Sequence, residues 1–314
     1  MDKKLYLRGR IATPWYNFCE LLAYALTYRP TPKSLIYEKR IKYGAEKKQY
    51  YNTYCRKDLV GTEKPLFVYV HGGGFISGIT DMRNTYIQNF AKRGFFTASI
   101  SYSYAPVKIY PTPLQGVCDA MDNILDKAKE KKYDPHNVVL CGESAGVYYI
   151  FMLAAIAADP TLADKIGVKF RHKDDIKIKA MVSHSGCYDL KKILDPAFPQ
   201  SKYPDIKMMA CSFVGKRYDD AVAFLNTPEG TLSYPHINAS YPPTFFATGA
   251  KDHLRHESYD AMELYKQYDI PYAHYEGTGN LSAHAWTIVT VLKKGKECLE
   301  ETFKFLEKYF PEIK

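Results

Sequence analysis

The sequence predicts an α/β protein, with a mainly parallel sheet covered by helices on both faces. Three observations carry that reading. Short apolar runs such as Leu66–Val70 and Val138–Cys141 have the pattern of strands buried on both faces. Between such runs lie segments with apolar residues three and four apart, as in Leu114, Val117, Met121, Ile124 and Leu125. Third, Gly142-Glu143-Ser144-Ala145-Gly146 stands between a strand run and a small-residue apolar segment, a strand–turn–helix context.

Residues 5–28 place apolar and aromatic side chains at mixed helical spacing until Pro30 and Pro32, which predicts one or two amphipathic helices. A helix over an active-site mouth is preferred to one lying on a membrane surface. Ser34–Tyr43 and Gln49–Arg56 alternate apolar with charged residues, predicting two half-exposed strands, antiparallel to one another. Leu66–Val70 is a buried strand that opens onto His71-Gly72-Gly73-Gly74-Phe75. A helix over 83–92, a strand over 95–101 and a helix over 114–131 follow, with Tyr104-Ala105-Pro106 and Tyr110-Pro111 as stiff connections.

Beyond the Ser144 turn, a helix runs to about Asp159, and residues 161–176 read as polar and irregular. Ile176–Ser183 is the next strand. Cys187–Tyr241 shows no strand pattern and is broken by prolines, as expected of a functional loop or an inserted cap. A strand at 243–248, a helix at 254–268, a strand at 271–275 and a closing helix at 286–309 complete the chain. One domain over 1–314 is expected, with cap elements at about 1–30 and in parts of 187–241.

Composition narrows the class. The 46% hydrophobic residues suffice for a full core, and 25% charged is ordinary for a globular protein. The net charge of +9 comes from dispersed lysines, and no basic stripe with interleaved aromatics argues for nucleic-acid binding. The 28 tyrosines fit strand and surface packing as well as an aromatic pocket. Seven scattered cysteines, never paired as C-x-x-C, argue against a disulfide framework or a zinc site and for a reducing compartment. There is no apolar stretch of membrane-spanning length and no signal-peptide core. The expectation is a cytoplasmic protein without stable membrane insertion.

Ligands of such sheets gather at the carboxyl ends of the strands. Ser144, the His71 glycine loop and Asp252 each follow a strand there, and His284 lies in the loop after the strand at 271–275. A serine hydroxyl is a poor nucleophile until a histidine takes its proton, and a carboxylate must fix that histidine's tautomer. The order Ser144, Asp252, His284 is the nucleophile–acid–base order of α/β-hydrolases. An oxyanion needs preorganised N–H donors, for which Gly72, Gly73 and Ala145 are the candidates. His71 and Glu143 are expected to support these loops, Asp189 is a rival acid, and His184 is expected to pack. His253 and His256 form a weak metal-ligand spacing with no third ligand nearby, so no metal is expected.

Taken together, His71-Gly72-Gly73-Gly74-Phe75 and Gly142-Glu143-Ser144-Ala145-Gly146 resemble the motifs of hormone-sensitive-lipase-like carboxylesterases of the α/β-hydrolase superfamily. Tyr102-Ser103-Tyr104-Ala105-Pro106 resembles that family's Y-R-L-A-P segment, and Ser185–Leu190 its S-P-W-x-D-L stretch. Asp252-His253-Leu254-Arg255 is similar to the segment that carries the acid. The resemblance runs from about residue 65 onward. It departs at Glu143, where Asp is commoner, at Val107, where Glu is usual, and at His284-Ala285-Trp286, where H-G-F is usual.

The resemblance implies an α/β-hydrolase fold with a small helical cap and a cofactor-independent serine esterase acting on short-chain or aryl esters. Its partner would be a small-molecule ester, and dimers among similar enzymes leave a homodimer open. Two alternatives stay in view. An amidase or peptidase would use the same triad, and a small-molecule receptor on this fold would lack the histidine that His284 supplies here.

Overall fold

The computed structural model of the chain describes residues 3–198, 204–227, 230, 237–280 and 282–313. Its centre is an eight-stranded sheet. The strands in chain order are β1 Leu35–Lys42, β2 Tyr50–Arg56, β3 Lys64–Val70, β4 Phe96–Ser101, β5 Tyr133–Glu143, β6 Ile178–His184, β7 Thr244–Gly249 and β8 Tyr272–Gly277. In space they run β1-β2-β4-β3-β5-β6-β7-β8. β2 is antiparallel to both β1 and β4, and the remaining pairs are parallel. This is the α/β-hydrolase fold.

The two faces of the sheet follow from the alternation of side chains along each strand. In β3, Leu66, Val68 and Val70 enter one apolar cluster, while Phe67 and Tyr69 enter the other. In β5, Val138 and Leu140 separate from Val139 and Cys141 in the same way. β3 and β5 are register partners, Val68 opposite Leu140 and Val70 opposite Gly142. Their carboxyl ends are therefore level, which brings the His71 loop beside the Ser144 turn.

Eleven helices flank the sheet among the described residues: α1 Lys3–Thr27, α2 Asn84–Lys92, α3 Thr112–Asp126, α4 Ala128–Lys131, α5 Ala145–Ala158, α6 Thr161–Lys165, α7 Leu190–Leu194, α8 Pro204–Val214, α9 Tyr218–Phe224, α10 Arg255–Gln267 and α11 Lys293–Leu306. The first helix is single and continuous despite Pro14. α5 is buried on all sides from Ala145 to Ile156, which an all-apolar helix requires.

Several expectations are corrected. β2 is buried along nearly its whole length rather than half-exposed, because both faces of the sheet are covered there: Tyr51 and Cys55 enter one apolar cluster and Tyr54 the other. The helix expected over 114–131 breaks at Lys127 into α3 and α4. The irregular stretch 161–176 contains α6, which buries Leu162 and Ala163. The closing helix begins at Lys293, with Trp286–Ile288 forming a separate 3₁₀ turn. Cys187–Tyr241, where described, supplies α7, α8 and α9, and α8 packs on both α1 and α7. No described helix is long and apolar enough to cross a membrane.

Candidate active site

Ser144 sits between β5 and α5 with φ 52° and ψ −121°, a conformation that a non-glycine residue holds only at a cost of about 1–3 kcal/mol. The surrounding backbone fixes it. The Ser144 N–H donates to His184 O at 2.9 Å, and the Cys187 N–H donates to Ser144 O at 3.1 Å. Gly146 must be glycine, since a Cβ there would stand 2.1 Å from Val70 O of the neighbouring strand. The turn thus holds the serine hydroxyl out beyond the sheet.

The histidine and the carboxylate arrive from two other strand ends. His284 Nε2 lies 2.9 Å from Ser144 Oγ, and its Nδ1 lies 2.9 Å from Asp252 Oδ1. Asp252 is buried and also accepts the Leu254 N–H at 2.9 Å. Burial alone would raise its carboxyl, but the His284 charge and hydrogen bond, with Ser185 and the Leu254 N–H, hold it at about 2. An ionised Asp252 accepts from Nδ1–H, which leaves Nε2 free to take the serine proton.

His284 is held by the two residues that follow it. The Trp286 indole N–H donates to Thr248 O at 3.3 Å, and its ring lies where a Cβ on Gly277 would come within 2.1 Å. The Ala285 N–H donates to Ser185 Oγ at 3.1 Å. An indole is therefore clamped between the ends of β7 and β8, two residues beyond His284.

Asp189 has a different position from Asp252. It is the N-cap of α7, accepting the Lys191 N–H at 2.9 Å. His184 is buried and pairs with the Tyr86 hydroxyl at 2.6 Å, and burial lowers its imidazole to about 3. His71 is likewise buried and held neutral, at about 3. Its Nδ1–H donates to Gly72 O at 2.7 Å, its ring stacks on Tyr102 at 4.4 Å, and Tyr102 donates to His71 O. It thus shapes the glycine loop from behind.

Glu143 accepts from the Tyr69 hydroxyl and pairs with Arg83 Nε at 2.6 Å. Burial pushes its carboxyl well up, opposed by the Gly72 N–H. Gly72 does not line the cavity over Ser144, whereas Gly73, Gly74 and Ala145 do. Gly74, the third glycine of the run and outside the expected donor set, lines the cavity beside Gly73.

The cavity holds about 390 Å³. Ser144 and His284 share its wall with the apolar side chains of Leu190, Ile193, Ile206 and Met209, while Tyr16, Glu20, Arg83 and Asp205 bring polar groups. The inner face of α1 also grips the glycine loop. Thr13 donates to Ile76 O at 2.9 Å, the Gly78 N–H donates to Asn17 at 2.9 Å, and Ser77 donates to Glu20 at 3.2 Å. None of these α1 residues belongs to a motif, so no sequence signal marks them.

Among the described residues one group could share a cation: Asp252, His253 and His284 have ligand atoms within 4.8 Å of one another. His256, the expected companion of His253, is not in it. Two of the three already bond each other, and burial followed by the neighbouring His284 lowers His253 to about 4.

A family model described as BD-FAE matches residues 54–262, well over half of the chain. An alpha/beta hydrolase of Acanthamoeba polyphaga mimivirus is 22% identical over 205 residues, which is 62% of this chain and 53% of that protein. The match therefore spans about half the viral protein's length. An acetyl esterase of Salmonella schwarzengrund is 23% identical over 73% of this chain and 69% of its own. Among solved structures, esterase B from Lactobacillus rhamnosis superposes with a TM-score of 0.79 at 16% identity, covering 98% of this chain and 94% of that one.

Proposed function

The chain belongs to the BD-FAE family of α/β-hydrolases, and from that premise we propose that this carboxylesterase cleaves small carboxylic esters through Ser144, His284 and Asp252. One observation carries the proposal: the two hydrogen bonds of 2.9 Å that join Asp252, His284 and Ser144 at the wall of an apolar cavity.

His284 Nε2 takes the Ser144 proton as Oγ attacks the ester carbonyl carbon. The tetrahedral oxyanion is received by the N–H groups of Gly73, Gly74 and Ala145, each typically worth about 3–4 kcal/mol at the transition state. Relative to the sequence expectation, Gly74 takes the place of Gly72 in the proposed donor set. The imidazolium is stabilised by ionised Asp252 and returns its proton to the departing alkoxide, leaving an acyl group on Oγ. Water then gives a proton to Nε2 and attacks the acyl carbon. The carboxylic acid leaves as Ser144 regains its proton.

The same reading treats α1 with α7–α9 as a cap on one α/β-hydrolase domain. The relative named acetyl esterase and a cavity of about 390 Å³ lined by apolar side chains such as Ile206 and Met209 favour short acyl groups or aryl esters. The receptor alternative is disfavoured by a histidine within bonding distance of the serine. A fluorophosphonate probe followed by peptide mass spectrometry tests the mechanism: covalent mass on the Ser144 peptide is expected. An unlabelled Ser144, or a label elsewhere, would remove the serine from its role.

A further inference from the structure

The outer face of α1 carries Leu7, Ile11, Trp15, Phe18, Leu22 and Leu26, a three-and-four spacing that aligns them on one stripe. All six are exposed, Trp15 at 63% and Leu26 at 79%. The inner stripe is already occupied, since Thr13, Asn17 and Glu20 hold the glycine loop. The apolar outer stripe is therefore a second, separate face, contiguous over most of a 25-residue helix.

The charges on this helix are one-sided too. Lys3, Lys4, Arg8 and Arg10 are exposed in its first turns. From Ile11 to Tyr28 no exposed side chain is charged, because Glu20 turns inward to Ser77 and Arg83.

We propose that this face docks the protein on an anionic lipid surface, with α1 lying in the plane of the interface. An apolar stripe that includes a tryptophan, with a basic end, suits that position: the stripe enters the acyl boundary and the cations meet headgroup phosphates. The helix is not apolar enough to cross the bilayer. A second copy of the chain would cover the stripe but offers the four cations no anion from its own α1, whereas an anionic lipid surface satisfies both halves of the face. Docking this way sets Tyr16 and Glu20, which line the Ser144 cavity from the inner side of the same helix, directly behind the lipid contact. Esters dissolved in the surface layer would then meet the cavity at short range.

The test is flotation of the full chain with phosphatidylcholine vesicles, with and without phosphatidylglycerol. Binding to the mixed vesicles and weak binding to the neutral ones are expected, with a blue shift of Trp15 emission on binding. A Phe18→Glu, Leu22→Glu variant should bind at least about tenfold more weakly. Replacing Lys3, Lys4, Arg8 and Arg10 with Gln should cost on the order of a thousandfold on anionic vesicles and leave neutral vesicles unaffected. Both variants should keep the circular dichroism spectrum and hydrolysis of p-nitrophenyl acetate in solution. No flotation with the mixed vesicles, or equal binding by the variants, would overturn the proposal. So would a lipid-free dimer in sedimentation velocity that the glutamate variant dissociates, which would give the face to a second copy. Flotation does not depend on ester hydrolysis, so its result stands apart from the catalytic reading.

Discussion

Arg83 Nε donates to Glu143 Oε1 across 2.6 Å, which ties the residue before Ser144 to the turn preceding α2. The same guanidinium reaches Glu20 of α1 at 3.2 Å. The chain Glu20–Arg83–Glu143 therefore couples the first helix of the protein to its nucleophile turn.

Glu143 is buried, so removal of its cation leaves a carboxyl with poor compensation. Arg83→Met is expected to destabilise the protein by about 3–5 kcal/mol. Glu20→Gln, which keeps hydrogen-bonding capacity at a more exposed site, should cost about 1 kcal/mol. Urea denaturation of the two variants checks the difference, and equal losses would contradict the assignment.

The two candidate acids can be separated by kinetics. Asp252→Asn keeps the shape of the site but loses the charge that fixes the His284 tautomer, and kcat should fall by roughly 10⁴-fold. Asp189→Asn removes charge from a helix cap that also accepts hydrogen bonds as asparagine, so kcat should stay near the wild-type value. A large kcat loss in the second variant and little in the first would reverse the roles.

His184 gives a pH signature. Its folded imidazole is held at about 3, well below the ordinary 6.5, by burial. Between those values the unfolded chain binds a proton that the folded chain does not, so stability contributed by this site is present above about pH 6.5 and lost as pH falls. Acidification from pH 7 to pH 5 should cost wild type about 2 kcal/mol more than His184→Gln. Denaturation curves at the two pH values measure this, and parallel losses would show that His184 is not buried and neutral.

The sheet was legible because strands buried on both faces leave apolar runs, and β3 through β7 do so. β2 was harder, since Tyr50, Tyr51 and Tyr54 carry hydroxyls that read as a half-exposed face although the rings are buried. Ser144, Asp252 and His284 were legible because each chemistry-bearing residue follows a strand end, where the fold must deliver it. The glycine loop gave its position but not its register: Gly73 and Gly74, rather than Gly72, line the cavity, and they do so from a turn with φ of 111° and 59° that no residue pattern announces. The grip of Thr13, Asn17 and Glu20 was invisible, because polar residues on an inner helix face look like any solvated positions until their partners 57 to 63 residues away are in place.

Hydrolysis of p-nitrophenyl acetate by purified wild-type protein and Ser144→Ala tests the central claim most directly. A fall in kcat of roughly 10⁴-fold or more is expected, since loss of the nucleophile leaves only binding and the oxyanion donors. Undiminished hydrolysis by the alanine variant would contradict the account.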